Sequence, residues 1–378
     1  MKRLAALIVA AGVALGLAAC QPSGDCGRVL TRDTTLQADV LNCPGDGLVI
    51  GADGIVLRLN GHTVDGTEAG GSAGIRLAGH DDVLIEGPGR ITEFADGVHV
   101  ANGLRNRARD LTSTGNGFGI HLVDADGTRL VGNDASENRG SGADPPPGIP
   151  WGGIILERSD GNLVEGNELS QNAGGPGVAL LHSSANRVLG NVPADSDNPN
   201  ILLSESHRNV VSGNGSTNSN VVAIELQASN DNLVEENVAS DNESEGITVR
   251  RGSARNIVRF NTAAGNENVG IFVSDAVGTI VRGNVTSSND SGADGIHVGA
   301  AASGTVVRDN TSNGNGDDGV DVDSPSTRIL GNTANGNGDL GIEAVPGVVD
   351  GGGNRATGNG NPAQCTGVAC SSSLAALL

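Results

Sequence analysis

A glycine followed by isoleucine or valine returns about every 23 residues through most of this chain, and an asparagine returns with it. The repeat starts fall at Gly54, Gly74, Gly97, Gly119, Gly153, Gly177, Asn200, Ala223, Gly246, Gly270, Gly295, Gly319 and Gly341. A short fixed period means one structural unit stacked on copies of itself, because a unit this small cannot bury its apolar face alone. One copy, GIILERSDGNLVEGNELSQNAGGP from Gly153 to Pro176, holds three short apolar pieces separated by glycine, asparagine and aspartate. Alternation with period two between turn residues predicts strands, and helical periodicity is absent. Three strands per copy predict an all-β, single-stranded, right-handed parallel β-helix solenoid of about 13 coils, roughly 60 Å long at the strand spacing. Sixty glycines and 1% aromatic residues exclude an ordinary globular core.

The asparagines form two columns. One runs Asn133, Asn167, Asn191, Asn214, Asn237, Asn261, Asn284, Asn310, Asn332 and Asn354. The other runs Asn138, Asn172, Asn242, Asn266, Asn289, Asn315, Asn337 and Asn359. Asparagine tolerates a left-handed turn, and stacked amides hydrogen-bond along the axis. These residues are read as structural, and Asn284 and Asn310 not as glycosylation sites.

The ends differ from the middle. Met1, Lys2 and Arg3 precede an apolar run from Leu4 to Leu17 that is too short to span a bilayer, which predicts an export signal. Leu17-Ala18-Ala19-Cys20 resembles a bacterial lipobox, which implies cleavage before Cys20 and lipidation of its thiol. Ordinary secretory cleavage nearby is the alternative. The remaining cysteines sit as one pair at each end, and an exported chain favours disulfides. The economical pairing is Cys26–Cys43 and Cys365–Cys370. The organisation expected is a signal at 1–19, tether and N-terminal cap at 20–53, β-helix at 54–345, and C-terminal cap and tail at 346–378. A net charge of −21 excludes nucleic acid as a partner and leaves a lipid anchor as the membrane contact.

In each Gly-Ile-x-Val strand the third and fifth residues face outward. The third positions run Val56, Arg76, His99, His121, Ile155, Ala179, Leu202, Glu225, Thr248, Phe272, His297, Asp321 and Glu343. Two polar portions flank an apolar middle. The first is Arg76, His99 and His121, with Glu157 nearby, beside an insertion (GSGADPPPGIPW, Gly140 to Trp151) that breaks the period. A histidine pair near a carboxylate suits a general acid/base or a metal site, and two solvent-facing histidines are the plain alternative. The second portion comprises Asp294, His297, Asp317, Asp318, Asp321, Asp323, Asp339 and Glu343. Stacked carboxylates repel unless a cation binds or some stay protonated. Calcium fits Asp317, Asp318, Asp321 and Asp323 as oxygen ligands. Alternatively, Asp294, Asp317 and Asp318 divide into acid and base, as glycosidases require. Turn chemistry competes with both, since Asp53-Gly54 and Asp96-Gly97 use the same dipeptide. Glu225 with Arg250 and Arg251 is expected to be a surface ion pair. Trp151 and Phe272 are the candidate stacking platforms for sugar, with Arg76 as a polar contact.

The stretches CPGDGLVIGADGIVLRLNGHTVDG from Cys43 and GDDGVDVD from Gly316, with the GNGNPAQCTGVAC end, resemble exported bacterial proteins of the right-handed parallel β-helix superfamily, which includes pectate lyases and polygalacturonases. The resemblance covers roughly residues 47–345. It implies the fold, not an activity. Against the polygalacturonase pattern, Ala293-Asp294-Gly295 and Asp317-Asp318 match the first two motifs. Gly338-Asp339-Leu340 stands where the family's histidine belongs, and no coil remains for the fourth motif. Copper, handled by some relatives, lacks soft ligands here. The resulting expectation is a tethered envelope protein that binds or processes a polysaccharide on its first-strand face. The alternative is a non-catalytic scaffold or adhesin with calcium-stabilised acidic coils. Oligomeric state is not readable from the sequence.

Overall fold

The computed structural model describes residues 21–68, 70–140, 145–290 and 292–372. The signal segment, Cys20 and the end of the apolar tail lie outside them. No helix occurs among the described residues. Two parallel sheets of 14 strands run the length of the rod, the first from Arg28–Leu30 to Ile342–Ala344 and the second from Thr34–Thr35 to Val349–Asp350. The third face begins as a three-stranded sheet at Thr63–Asp65. It narrows to single bridges at Asp134, Glu168 and Val192, then resumes as eight strands from Gly215–Thr217 to Cys370–Ser371. This is the expected β-solenoid, with about 14 turns.

The first turns lie earlier than the repeat suggested. Leu48–Ile50, not the segment after Gly54, pairs with the Ile75 strand. Val56–Arg58 belongs to the second sheet, opposite Leu84–Glu86. Gly54 has φ +68° and is a turn glycine, whereas Gly47 is the true repeat glycine. The reason is packing between coils. A Cβ on Gly97 would stand 2.6 Å from the Gly119 carbonyl oxygen, and one on Gly47 2.5 Å from that of Gly74. Most coils therefore carry glycine at their entry to stack at strand spacing, with Asn200 and Ala223 as the exceptions.

Inside the rod the core is aliphatic, a continuous pile from Leu30 to Ala344 with Phe94 as its one large ring. The asparagine columns are hydrogen-bonded ladders. Asn261 donates its backbone N–H and its Nδ2 to Asn284 Oδ1 at 2.9 and 3.0 Å, and Nδ2 also reaches the Val234 carbonyl at 3.0 Å. Asn284 treats Asn310 the same way. Both are fully buried, so neither is a glycan acceptor. A further asparagine column (Asn162, Asn186, Asn209, Asn232, Asn256) and a serine column (Ser159, Ser183, Ser206, Ser229, Ser253) escaped the sequence reading. Disulfides Cys26–Cys43 and Cys365–Cys370 staple the two ends as expected.

A second apolar cluster sits outside the rod. Phe118, Trp151, Ile155, Ala179 and Leu181, with Ile149 and Leu202, cover the outer face of the first sheet beside the insertion. The indole needs space: a Cβ on Gly117 would lie 2.6 Å from Trp151 Cζ3. Trp151 is thus a core residue of this cover, 9% exposed and 4.5 Å from the Phe118 ring centroid, and not an open platform for sugar.

Candidate functional site

The parallel register stacks one outward residue from each coil along the first sheet. Arg76, His99, His121 and Ile155 are successive partners, and so are Thr248, Phe272, His297, Asp321 and Glu343. His121 and His297 are seven strands apart, about 34 Å at the spacing of a parallel sheet. The two polar portions are therefore separate sites.

At the N-terminal site the centre is Asp96, which the sequence reading set aside as turn chemistry. It lies one residue before the repeat glycine. Its carboxylate accepts from His121 Nδ1 at 3.0 Å, and His99 Nδ1 stands at 3.4 Å. Burial pushes the Asp96 carboxyl up, but the two histidines outweigh it and hold the pKa at about 2. His121 is 5% exposed, capped by the Phe118 ring at 4.3 Å. It faces outward as expected but is covered, so it does not meet solvent. Glu157 lies diagonally, its carboxylate 3.8 Å from His121 Nε2, and is paired with Arg158. Arg76 is bound to Asp46 through two short contacts of 2.6 and 2.8 Å, so its charge is already neutralised.

At the C-terminal site the acidic residues do converge. Asp294 Oδ1 accepts from the Asp318 backbone N–H at 3.1 Å, and its Oδ2 stands 3.3 Å from His297 Nδ1. Asp318 Oδ1 in turn accepts from the Leu340 N–H at 2.6 Å. His297 Nε2 lies 3.6 Å from Asp321 and 3.4 Å from Asp323. Asp318, Asp321 and Glu343 bring carboxylate oxygens within 4.8 Å of one another, and so do Asp317, Asp318 and Asp339. Burial, with the neighbouring carboxylates, raises Asp318 to about 8. Burial and Asp294, Asp323 and Glu343 raise Asp321 to about 6, against the pull of His297. Asp317 is raised by burial and by Asp294, Asp339 and Glu343. Burial would lower His297, but the carboxylates around it raise it instead. Phe272 sits one coil below, edge-on to His297 at 5.2 Å.

Between the sites, Glu225 is 2% exposed and paired with Arg250. The expected surface pair is a buried carboxylate under a half-exposed guanidinium. Phe260, which the sequence reading passed over, is the well-exposed ring of the described residues at 52%, flanked by the guanidinium groups of Arg259 and Arg282. Its position in a turn, not in a strand, hid it from a strand-based pattern.

A family model for the right handed beta helix region matches residues 46–192 and, overlapping them, 147–286. No curated protein matches the sequence. Among solved structures, the receptor binding domain of the Siphovirus 9NA tailspike is similar over 91% of this chain and 73% of its own, with a TM-score of 0.55 and 11% identity. The mannuronan C-5 epimerase A-module of Azotobacter vinelandii is similar over 91% of both chains, with a TM-score of 0.48 and 16% identity. The Dettilon tailspike protein is similar over 88% of this chain, with a TM-score of 0.47 and 16% identity. This chain spans 61% of that tailspike's length. These are likenesses of fold.

Proposed function

The chain belongs to the right-handed β-helix family, and on that scaffold we propose that it binds a polysaccharide along the outer face of its first sheet and hydrolyses it at the acidic coils. One observation carries the reading. Asp318 and Asp321 hold carboxylate oxygens within 4.8 Å of each other, and their environments set their proton affinities apart. Burial and the neighbouring carboxylates raise both, Asp318 to about 8 and Asp321 to about 6, so Asp318 is the one suited to carry the proton. Glycosidic cleavage needs that division: an acid to protonate the leaving oxygen, and a carboxylate to activate water or to attack. Asp294, anchored by the Asp318 N–H and by His297, fixes the pair, and Asp317 borders it. Phe272 offers a ring edge for a sugar one coil away. The negative field favours a neutral glycan, or an acidic one bridged by a cation.

The two disulfides support export, and the lipobox-like Leu17-Ala18-Ala19-Cys20 supports a lipid tether at the extracytoplasmic face. A second reading rests on two overlapping oxygen sets, Asp317 with Asp318 and Asp339, and Asp318 with Asp321 and Glu343: calcium stabilises these coils in a non-catalytic scaffold, with Asp323, which the sequence offered as a ligand, outside both sets. One screen separates the readings. The mature protein is incubated with pectate, alginate, glycosaminoglycans and neutral glycans, with and without calcium. New reducing ends are expected, rising and falling in a bell between about pH 6 and 8 as the paired carboxylates titrate. Asp318→Asn should lower the rate by 10²-fold or more, in the range of about 10²–10⁴ for lost acid catalysis. No product from any glycan, together with a melting temperature raised by calcium and lowered by chelator, would replace the enzyme with the scaffold.

A further inference from the structure

The sequence Asp-Gly-x-His occurs twice, as Asp96-Gly97-Val98-His99 and Asp294-Gly295-Ile296-His297. In both, the aspartate stands before the repeat glycine and the histidine occupies the outward third position, so the carboxylate and the imidazole meet across one turn. The next coil decides what each turn becomes. Above His297 lies Asp321, and above His99 lies His121. The C-terminal turn is thus surrounded by hard oxygen donors. The N-terminal one presents two imidazoles and a single carboxylate.

Three features of the N-terminal cluster point to a bound ion. First, the ligand atoms of Asp96, His99 and His121 lie within 4.8 Å of one another, with His121 Nδ1 3.0 Å from Asp96 Oδ1 and His99 Nδ1 3.4 Å from Asp96 Oδ2. Four-coordinate zinc with bonds of about 2.0–2.1 Å places its ligand atoms about 3.3 Å apart. Second, His99 Nδ1, on the Asp96 side of its ring, is buried and has no hydrogen-bond partner. Each unsatisfied buried nitrogen is costly, and native structures leave few of them. Third, His121 directs its Nε2 toward the Glu157 carboxylate at 3.8 Å. A histidine bound to metal through one nitrogen and facing a carboxylate with the other is the usual arrangement around a metal, since the outer carboxylate fixes the ring and raises its basicity.

We propose that Asp96, His99 and His121 form a zinc site, with Glu157 orienting His121 from outside the coordination sphere. The His99 side chain is 17% exposed, so the fourth position opens to solvent on that side. Imidazole nitrogen suits zinc, whereas calcium requires six to eight oxygens that this cluster lacks. The proposal does not depend on the glycan reading, which concerns residues about 34 Å away at strand spacing.

The test uses the whole exported chain, dialysed against chelator and then titrated with cobalt(II) and with zinc. Intense visible bands of four-coordinate cobalt are expected, saturating at one ion per chain and bleached by zinc but not by calcium. His99→Ala and Asp96→Asn should each weaken zinc binding by about a hundredfold or more, and Glu157→Gln by about ten- to a hundredfold, the range for an outer partner. His182→Ala, which removes an exposed histidine paired with Glu205, should leave it unchanged. Substoichiometric uptake by the wild-type protein, or affinity equal in wild type and His99→Ala, would overturn the site. If circular dichroism shows His99→Ala unfolded, the wild-type cobalt spectrum decides, and only the weak bands of octahedral cobalt would refute it.

Discussion

Aspartate precedes glycine repeatedly in this chain, and at Asp53, Asp96 and Asp318 the same two residues do different things. Asp53 is largely exposed and meets His80 at 2.8 Å. Asp96 is buried between two histidines and held at about 2. Asp318 is buried among carboxylates and pushed to about 8. These shifts make a stability prediction with a definite sign. Asp318 and Asp321 bind protons more tightly folded than unfolded, so the folded state loses stability as pH rises from the ordinary carboxylate range through about 6 and then about 8. The raised pKa of His297 adds to the same trend, since its stabilisation is lost as pH climbs through the folded value. Asp96 acts at the other end, contributing above its unfolded value and losing that contribution as pH falls toward about 2. The melting temperature should therefore fall between pH 5 and 9, and Asp318→Asn should flatten the fall. A melting curve rising over that range would contradict the arrangement.

At the level of the coil, buried hydrogen-bonded ladders run beside the aliphatic pile. Asn261 makes three hydrogen bonds through its side chain or toward its neighbour's, and it also accepts from Asn237. Asn261→Ala strands buried partners on both adjoining coils and should cost about 3 kcal/mol, at the upper end for a buried unsatisfied group. Chemical denaturation measures this, and a cost below about 1 kcal/mol would mean that the ladder carries no weight. The insertion behaves differently. Trp151→Ala removes the ring packed on Phe118 in the outer apolar cluster and should cost about 3–5 kcal/mol as a large-to-small core change. It should leave hydrolysis at the distant acidic coils unaffected. These elements were legible to different degrees. The column through Asn261 is visible because its residues recur at one spacing. The serine column and Trp151's burial were not, because serine is common in turns and an insertion carries no periodicity to say which way its ring faces.

Across the whole molecule, the rod keeps its two polar sites on one face but far apart. Each coil contacts only its neighbours, so perturbations add. Asp318→Asn and His99→Ala should combine within about 0.5 kcal/mol of the sum of their separate effects, as distant sites do. A larger coupling would mean that the rod transmits strain along its length. The N-terminal staple closes a loop between residues 17 apart, and removing it as Cys26→Ser/Cys43→Ser should cost about 3 kcal/mol on the chain-entropy model, through fraying that begins at that end.

The repeat period by itself determined the coil, the parallel stacking and the set of side chains that point outward, because a period of two along each strand and a fixed spacing between coils leave one geometry. It also brought Asp294, Asp318 and Asp321 onto one patch. Only the tertiary structure decided where the first coil begins, that Trp151 packs on the Phe118 ring that caps His121, that Glu225 is buried and that Asp96 joins two histidines. Those outcomes depend on contacts between segments with no common period, and on how much water each site retains. Burial and neighbouring charge, not residue identity, turn one aspartate into a permanent anion and another into an acid at neutral pH.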